Sequence, residues 1–95
     1  MNLMSTLILD GFILVPQSEL ELVQEALLIH TVLTQNEPGC IVFKVDQCLN
    51  DRCKFYVHEE FDSEESFHRH QSRAHASRWG EVTKGVQRHY TVTRV

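Results

Sequence analysis

Residues 6–15 read TLILDGFILV, an apolar run with β-branched positions that ends at Pro16. The run is too short to span a membrane as a helix and has no helix-starting residue, so a strand is expected. Its two alternating sets are Thr6, Ile8, Asp10, Phe12, Leu14 and Leu7, Leu9, Gly11, Ile13, Val15. Both are largely apolar, so both faces of the sheet that holds this strand should be buried. Helices of the same chain can cover one face. The other then needs a second layer.

The rest of the sequence supplies two helices and three more strands. Ser18 and Glu21 stand at capping-box spacing before a periodic apolar run, which predicts a helix over about 19–35. Pro38-Gly39 stops it and turns the chain. CIVFKVD (40–46) and CKFYVHEEF (53–61) alternate as strands and flank LNDR, a turn, so they form a hairpin. Asp62 or Ser63 can cap a second helix, with Glu65 at capping-box distance from Asp62. Helical character continues to about residue 84, with room for a break, and Gly85 is a suitable stop. QRHYTVTRV (87–95) is the last strand. The order is βαββαβ, the ferredoxin-like α+β arrangement: a four-stranded antiparallel sheet with two helices on one face. A second copy packed sheet against sheet would cover the open face, so a homodimer, a dimeric α+β barrel, is expected.

The 95 residues make one domain, 1–95, with 42% hydrophobic and 23% charged residues. The net charge of −4 and the lack of a dense basic run argue against nucleic acid as a partner. The N-terminal residues have no basic n-region, and Asp10 interrupts the apolar run, so neither a signal peptide nor a membrane span is expected. A cytoplasmic protein is the resulting expectation. Cys40, Cys48 and Cys53 are odd in number and form no C-x-x-C pair, which points to reduced thiols rather than a disulfide framework or zinc knuckle. Cys48 and Cys53 could face each other across the hairpin tip.

Six histidines raise the question of chemistry. At about 100° per residue, Leu20, Val23, Leu27, His30 and Thr34 share one helical stripe, and Leu22, Ala26, Ile29 and Leu33 form the adjacent one. His30 should therefore face the sheet, either as a core residue bonded to a carbonyl or as part of a site. On the third strand, Phe55, Val57, Glu59 and Phe61 point one way and Lys54, Tyr56, His58 and Glu60 the other. Glu59 is a carboxylate in an apolar row and needs a partner or a raised pKa. His30 could meet it between helix and sheet as an acid–base pair. A structural buried hydrogen bond is the alternative.

In FHRHQSRAH (67–75), His68 and His70 point to nearly opposite sides of a helix. His70 and His75 lie about 140° apart and could converge only if the helix breaks between them. No H-x-x-x-H pair occurs here, so no metal site is expected. Phe67 and His70 share an inward face, while His68 and Arg69 face solvent. His70 is the better pocket candidate, and His75 is second. No phosphate loop, dinucleotide fingerprint, nucleophile elbow or haem-attachment motif is present, and no cofactor is expected.

GFILVPQSELELVQEALLIHTVLTQNEPGCIVFKV followed by FYVHEEFDSEESFHRHQSRAHASRW resembles the antibiotic biosynthesis monooxygenase domain family. The resemblance rests on a strand ending in V-P, a helix ending H-x-x-x-T-x-x-E-P-G-C, and E-x-F-x-S-x-x-S-F-x-x-H-x-x-x-x-H. It covers about residues 11–79. It implies a ferredoxin-like fold and a dimer whose sheets close into a barrel-like core. Members include cofactor-free oxygenases of quinols and polyketide phenols, haem-degrading enzymes, and an isomerase of a phosphorylated signalling-sugar derivative. Pattern positions carry over to His30, Glu59, His70 and His75 as catalytic residues, with Glu37, Pro38, Gly39 and Cys40 forming the turn. Two departures stand out. Arg73-Ala74 replace the Thr or Ser followed by Pro that often precedes the last histidine, which favours an anionic substrate over an apolar aromatic one. The asparagine that the haem-degrading branch has early in its first strand is missing, so haem is not expected.

A small-molecule substrate is therefore expected in an apolar site, with Phe43, Phe55, Phe67, Arg73 and Trp79 as its binding residues. The leading expectation is a cofactor-independent monooxygenase of a small quinol or phenol. One alternative is an isomerase of a small phosphorylated carbonyl compound, of the autoinducer-2 degradation type. The other is a non-catalytic dimer that binds a small ligand.

Overall fold

In a computed structural model, which describes residues 5–95, the chain forms β1 (Leu7–Leu14), α1 (Leu20–Gln35), β2 (Cys40–Gln47), β3 (Lys54–Phe61), α2 (Glu64–His75), α3 (Arg78–Val82) and β4 (Gln87–Arg94). Residues 1–4 of the expected 1–95 domain lie outside the described residues. The strands form one sheet in the order β2-β3-β1-β4, and every neighbouring pair is antiparallel. Two interleaved β-α-β crossovers give this order, with the central strands β1 and β3 coming from different halves of the chain. The expected ferredoxin-like architecture is the one observed. Among the described residues no helix is long and apolar enough to cross a membrane.

The helix starts depart from the expected caps. Ser18 does not cap α1. Residues Gln17–Glu19 form a 3₁₀ turn, and the residue at the N-cap of α1, Glu19, makes no capping hydrogen bond. Ser63 does cap α2, its hydroxyl accepting from the Ser66 N–H at 3.1 Å. Glu65 takes no part there. Asp62 Oδ1 instead accepts from the Ser66 hydroxyl. The expected break falls at Ser77, so α2 ends at His75 and α3 follows as a short separate helix.

The core lies between the helices and one face of the sheet. Leu7, Leu9 and Ile13 of β1, Phe55, Val57 and Phe61 of β3, Leu20 and Val23 of α1, Phe67 of α2, and Val15 and Val86 make one cluster. On α1 the buried residues are Leu20, Val23, Ala26, His30 and Thr34. This is the stripe that contains His30. The adjacent stripe is exposed apart from Ala26: Leu22, Ile29 and Leu33 are 50%, 61% and 46% accessible. A helix over a sheet buries only its sheet-facing arc, which here is narrower than the two apolar stripes of α1 together.

The open face of the sheet is more mixed than β1 alone predicted. Ile8, Phe12 and Leu14 are half-buried there, but Asp10 is exposed. His58, from β3, hydrogen-bonds Asp10 Oδ1 through Nδ1 and Glu60 Oε2 through Nε2. At the hairpin tip, the Cys48 N–H bonds the Lys54 carbonyl, and all three cysteines are free thiols.

Candidate functional site

Two local features bring β2 and the α1–β2 turn to the site. Ile41 makes an irregularity in the β2–β3 ladder, after which Phe43 stands opposite Glu59 on the helix side of the sheet. In the turn, the Glu37 N–H bonds the Thr34 carbonyl, the Cys40 N–H bonds the Glu37 carbonyl, and the Asp62 N–H bonds the Gly39 carbonyl. Gly39 has φ 89°, and a Cβ there would collide with the Ser66 side chain. Only glycine lets the turn approach α2 this closely. The turn thereby sets Glu37 against the buried face of α2.

Glu37 then holds two α2 side chains. Its Oε1 lies 2.7 Å from His70 Nδ1, and its Oε2 accepts from Arg73 Nε. Arg73 also donates to Thr34 Oγ1 at 3.0 Å. A carboxylate can only accept, so His70 carries its proton on Nδ1 and presents an unprotonated Nε2. Burial lowers the His70 pKa, and the bond to Glu37 offsets this only in part. His70 Nε2 faces Glu59 Oε1 at 3.8 Å, too long for a hydrogen bond.

Glu59 is flanked by Leu9 on β1 and Phe43 on β2. It is 7% accessible, and its Oε1 is buried with no hydrogen-bond partner. Burial, reinforced by the charge of Glu37, pushes its pKa up to about 7. His30 is also buried. It stacks on Trp79 with ring centroids 4.7 Å apart and meets Phe43 edge-on at 5.3 Å. Burial, then the charges of His70 and Arg73, lowers its pKa to about 3, so the ring is neutral and its Nδ1 has no partner. His30 and Glu59 share the site but make no hydrogen bond to each other. The carboxylate faces His70 instead.

These groups line a cavity of about 450 Å³. His30, Glu59, His70 and His75 all border it, with Trp79. The helix does not break between His70 and His75. His75 reaches the rim from the last turn of α2, where it is exposed. His68 faces solvent near Glu64. The remaining expected binding residues lie outside the lining. Phe43 packs against the rings of His30 and His70, Phe55 and Phe67 belong to the core, and Arg73 is held by Glu37 and Thr34. The wall formed by Thr83, Lys84, Arg88 and Tyr90 was not anticipated. Burial, and then the nearby Glu59, pushes the Tyr90 phenol up to about 12, so it stays a neutral hydroxyl. Among the described residues, no three His, Cys, Asp or Glu side chains are grouped as metal ligands.

The cavity thus joins a proton acceptor oriented from behind, a carboxyl that titrates near neutrality, and aromatic walls. Such a set can take a proton from a bound hydroxyl or carbon acid and return it elsewhere.

A family described as antibiotic biosynthesis monooxygenase matches residues 6–82. No curated protein matches the sequence. Similar solved structures include a protein of unknown function from Bacteroides thetaiotaomicron, suggested to be an oxidoreductase. It is 23% identical with a TM-score of 0.81, and the match covers 96% of this chain and 98% of that one. A protein from Nitrosomonas europaea, whose name proposes an antibiotic biosynthesis monooxygenase, is 16% identical with a TM-score of 0.79 over 100% and 93% of the two chains. One from Deinococcus radiodurans, named in the same way, is 19% identical with a TM-score of 0.75 over 94% and 89%. At these identities the likeness establishes the fold.

Proposed function

The chain belongs to the antibiotic biosynthesis monooxygenase family, and from that premise we propose that it oxidises a small quinol or phenol with O₂, using side chains alone. The observation that supports this reading most is the pair of His70, oriented by Glu37, and Glu59, whose buried carboxyl oxygen has no partner among the described residues, facing each other across a gap in the cavity.

The phenolic hydroxyl binds between Glu59 and His70 Nε2, and one of them takes its proton. Loss of the proton makes the ring electron-rich. The phenolate gives one electron to O₂, and the radical pair joins at a ring carbon that bears hydrogen, para to the oxygen in a simple phenol and ortho to it in a quinol. The resulting peroxide loses water: its O–O bond breaks, the ring carbon gives up its hydrogen, and a second carbonyl forms. The balance is phenol plus O₂ to quinone plus water. Trp79, His30 and Tyr90 line the site beside the acid–base pair.

The test is oxygen uptake with a panel of hydroquinones and naphthols, run beside an assay for carbonyl isomerisation. Uptake with one atom of ¹⁸O₂ incorporated into the quinone product supports the oxygenase. Isomerisation without uptake would transfer the same His70–Glu59 pair to proton transfer beside a carbonyl, and neither activity would leave a ligand-binding dimer. We further propose that a second copy covers the open sheet face through Ile8, Phe12 and Leu14.

A further inference from the structure

The cavity wall formed by β4 and the end of α3 carries positive charge that nothing in the phenol reading uses. Arg88 makes hydrogen bonds to the Val86 carbonyl at 3.2 Å, the Thr83 carbonyl at 3.1 Å and Thr83 Oγ1 at 2.9 Å. These bonds pin the guanidinium in place. A guanidinium has five N–H donors. One Nη1 donor and both Nη2 donors are engaged, and the Tyr90 oxygen also lies close to the guanidinium. None of the ion pairs among the described residues includes Arg88. Lys84 borders the same cavity, and its only ion pair among the described residues, with Glu81 at 3.7 Å, is three-quarters exposed and weak. Among the described residues, the only carboxylate in the lining is Glu59, across the cavity on β3. The other arginine near the site, Arg73, has its charge taken up by Glu37.

We infer that the substrate carries an anionic group, a carboxylate on or beside its hydroxylated ring, and that Arg88, assisted by Lys84, binds that group. No ion pair among the described residues takes up the Arg88 charge, and a remaining N–H of its guanidinium can donate a charge-assisted hydrogen bond to a carboxylate oxygen, with Lys84 bordering the same cavity. Tyr90, two residues along the same face of β4, adds a neutral hydroxyl beside the guanidinium. The anion at Arg88 and the hydroxyl at Glu59 and His70 then occupy opposite walls. Arg88 is thus a specificity-determining residue that fixes which end of the ring faces the acid–base pair. This inference rests on the proposed phenol chemistry for its substrate but is tested by binding alone.

The experiment titrates the full chain anaerobically with 1,4-dihydroxy-2-naphthoate and with its neutral carboxamide, following Trp79 fluorescence and calorimetric heat. The carboxylate should bind about tenfold or more tightly than the amide, the scale of a charge-assisted hydrogen bond. That preference should shrink in about 0.5 M salt. It should collapse in R88Q, persist in part in R88K and fall slightly in K84Q. H68A, at a solvent-facing position, should keep it whole. R88Q also loses the bonds to Thr83, so circular dichroism and the R88K and K84Q variants guard against reading a folding defect as lost recognition. Equal affinity for acid and amide, a preference that survives in R88Q, or no binding of either would overturn the inference. A carboxylate preference without oxygen uptake would leave the anion site standing and sink the oxygenase reading. Uptake with neutral and acidic quinols at equal efficiency would do the reverse.

Discussion

His58 and Glu59 are neighbours on β3, yet they meet opposite conditions. His58 points to the open face of the sheet, where Asp10 and Glu60 bracket its ring. Those hydrogen bonds raise its pKa, first through Asp10 and then through Glu60, against a small loss from burial. Glu59 points to the helix side, where Leu9 and Phe43 flank it and one oxygen has no partner. The histidines divide in the same way. His58 on the open side is pushed up, while His30 and His70 on the closed side are pushed down. In water-accessible surroundings the partner decides the charge, and in the cavity desolvation decides it. A satisfied cluster is a structural device. A buried group left unsatisfied is where a ligand proton can be exchanged.

The largest effects should come from breaking the closed side. His70→Ala and Glu59→Gln should each lower turnover by about 10²-fold or more, the scale of a lost acid or base, while circular dichroism shows the fold intact. An unchanged rate in both variants would remove the acid–base assignment from this cavity. His30→Ala removes a wall of the cavity and should lower turnover less. Glu37→Gln should come next. It frees the His70 tautomer and leaves Arg73 without its carboxylate, so turnover should fall and urea unfolding should show a loss of about 1–3 kcal/mol.

The pH dependence of stability sharpens the contrast further. The folded pKa of Glu59, about 7, lies above its ordinary 4.5. Between these values the folded chain keeps a proton that the unfolded chain has released, so the contribution of Glu59 is full below about 4.5 and is lost as pH rises through about 7. His30 runs the other way, with a folded value of about 3 against an ordinary 6.5. As pH falls below 6.5 the unfolded chain takes up a proton first, and stability declines towards pH 3. Glu59→Gln should reduce the decline above about pH 4.5, and His30→Ala should reduce the one below 6.5, leaving the share of His70, whose pKa is also lowered. Unfolding midpoints across pH measure both, and a profile identical to that of the parent chain would contradict the assigned burial effects.

Effects on the open side should be smaller. The second copy proposed there predicts a sedimenting species of about twice the chain mass at micromolar concentration, and Phe12→Glu should give a folded monomer. A stable monomer of the unaltered chain would refute the sheet-to-sheet dimer. His58→Ala should leave turnover unchanged and cost under about 1 kcal/mol, because the cluster is partly solvated. His58 contributes most below its ordinary pKa, and that contribution is lost as pH rises through its raised folded value. His68→Ala should be silent in every assay.

The order of elements, the inward direction of His30 and the odd placement of Glu59 were all legible in the sequence. Each follows from a local period: 3.6 for α1 and two for β3, with a carboxylate or imidazole standing in an apolar row. The turn NEPGC was legible as a turn but not as part of the site. Glu37 acts on His70 across 33 positions of chain, and only the close approach permitted at Gly39 brings the two together. Arg73 was read as an anion anchor from charge alone. The fold neutralises it with Glu37 and sets Arg88 in the cavity instead, and the only sequence signal for that was the alternation of Arg88 and Tyr90 along the last strand. The chain alone determined which side chains each element turns inward, because that depends on spacing along a helix or strand. Tertiary structure decided which of those side chains are satisfied, because hydrogen bonding and desolvation depend on neighbours brought from distant parts of the chain.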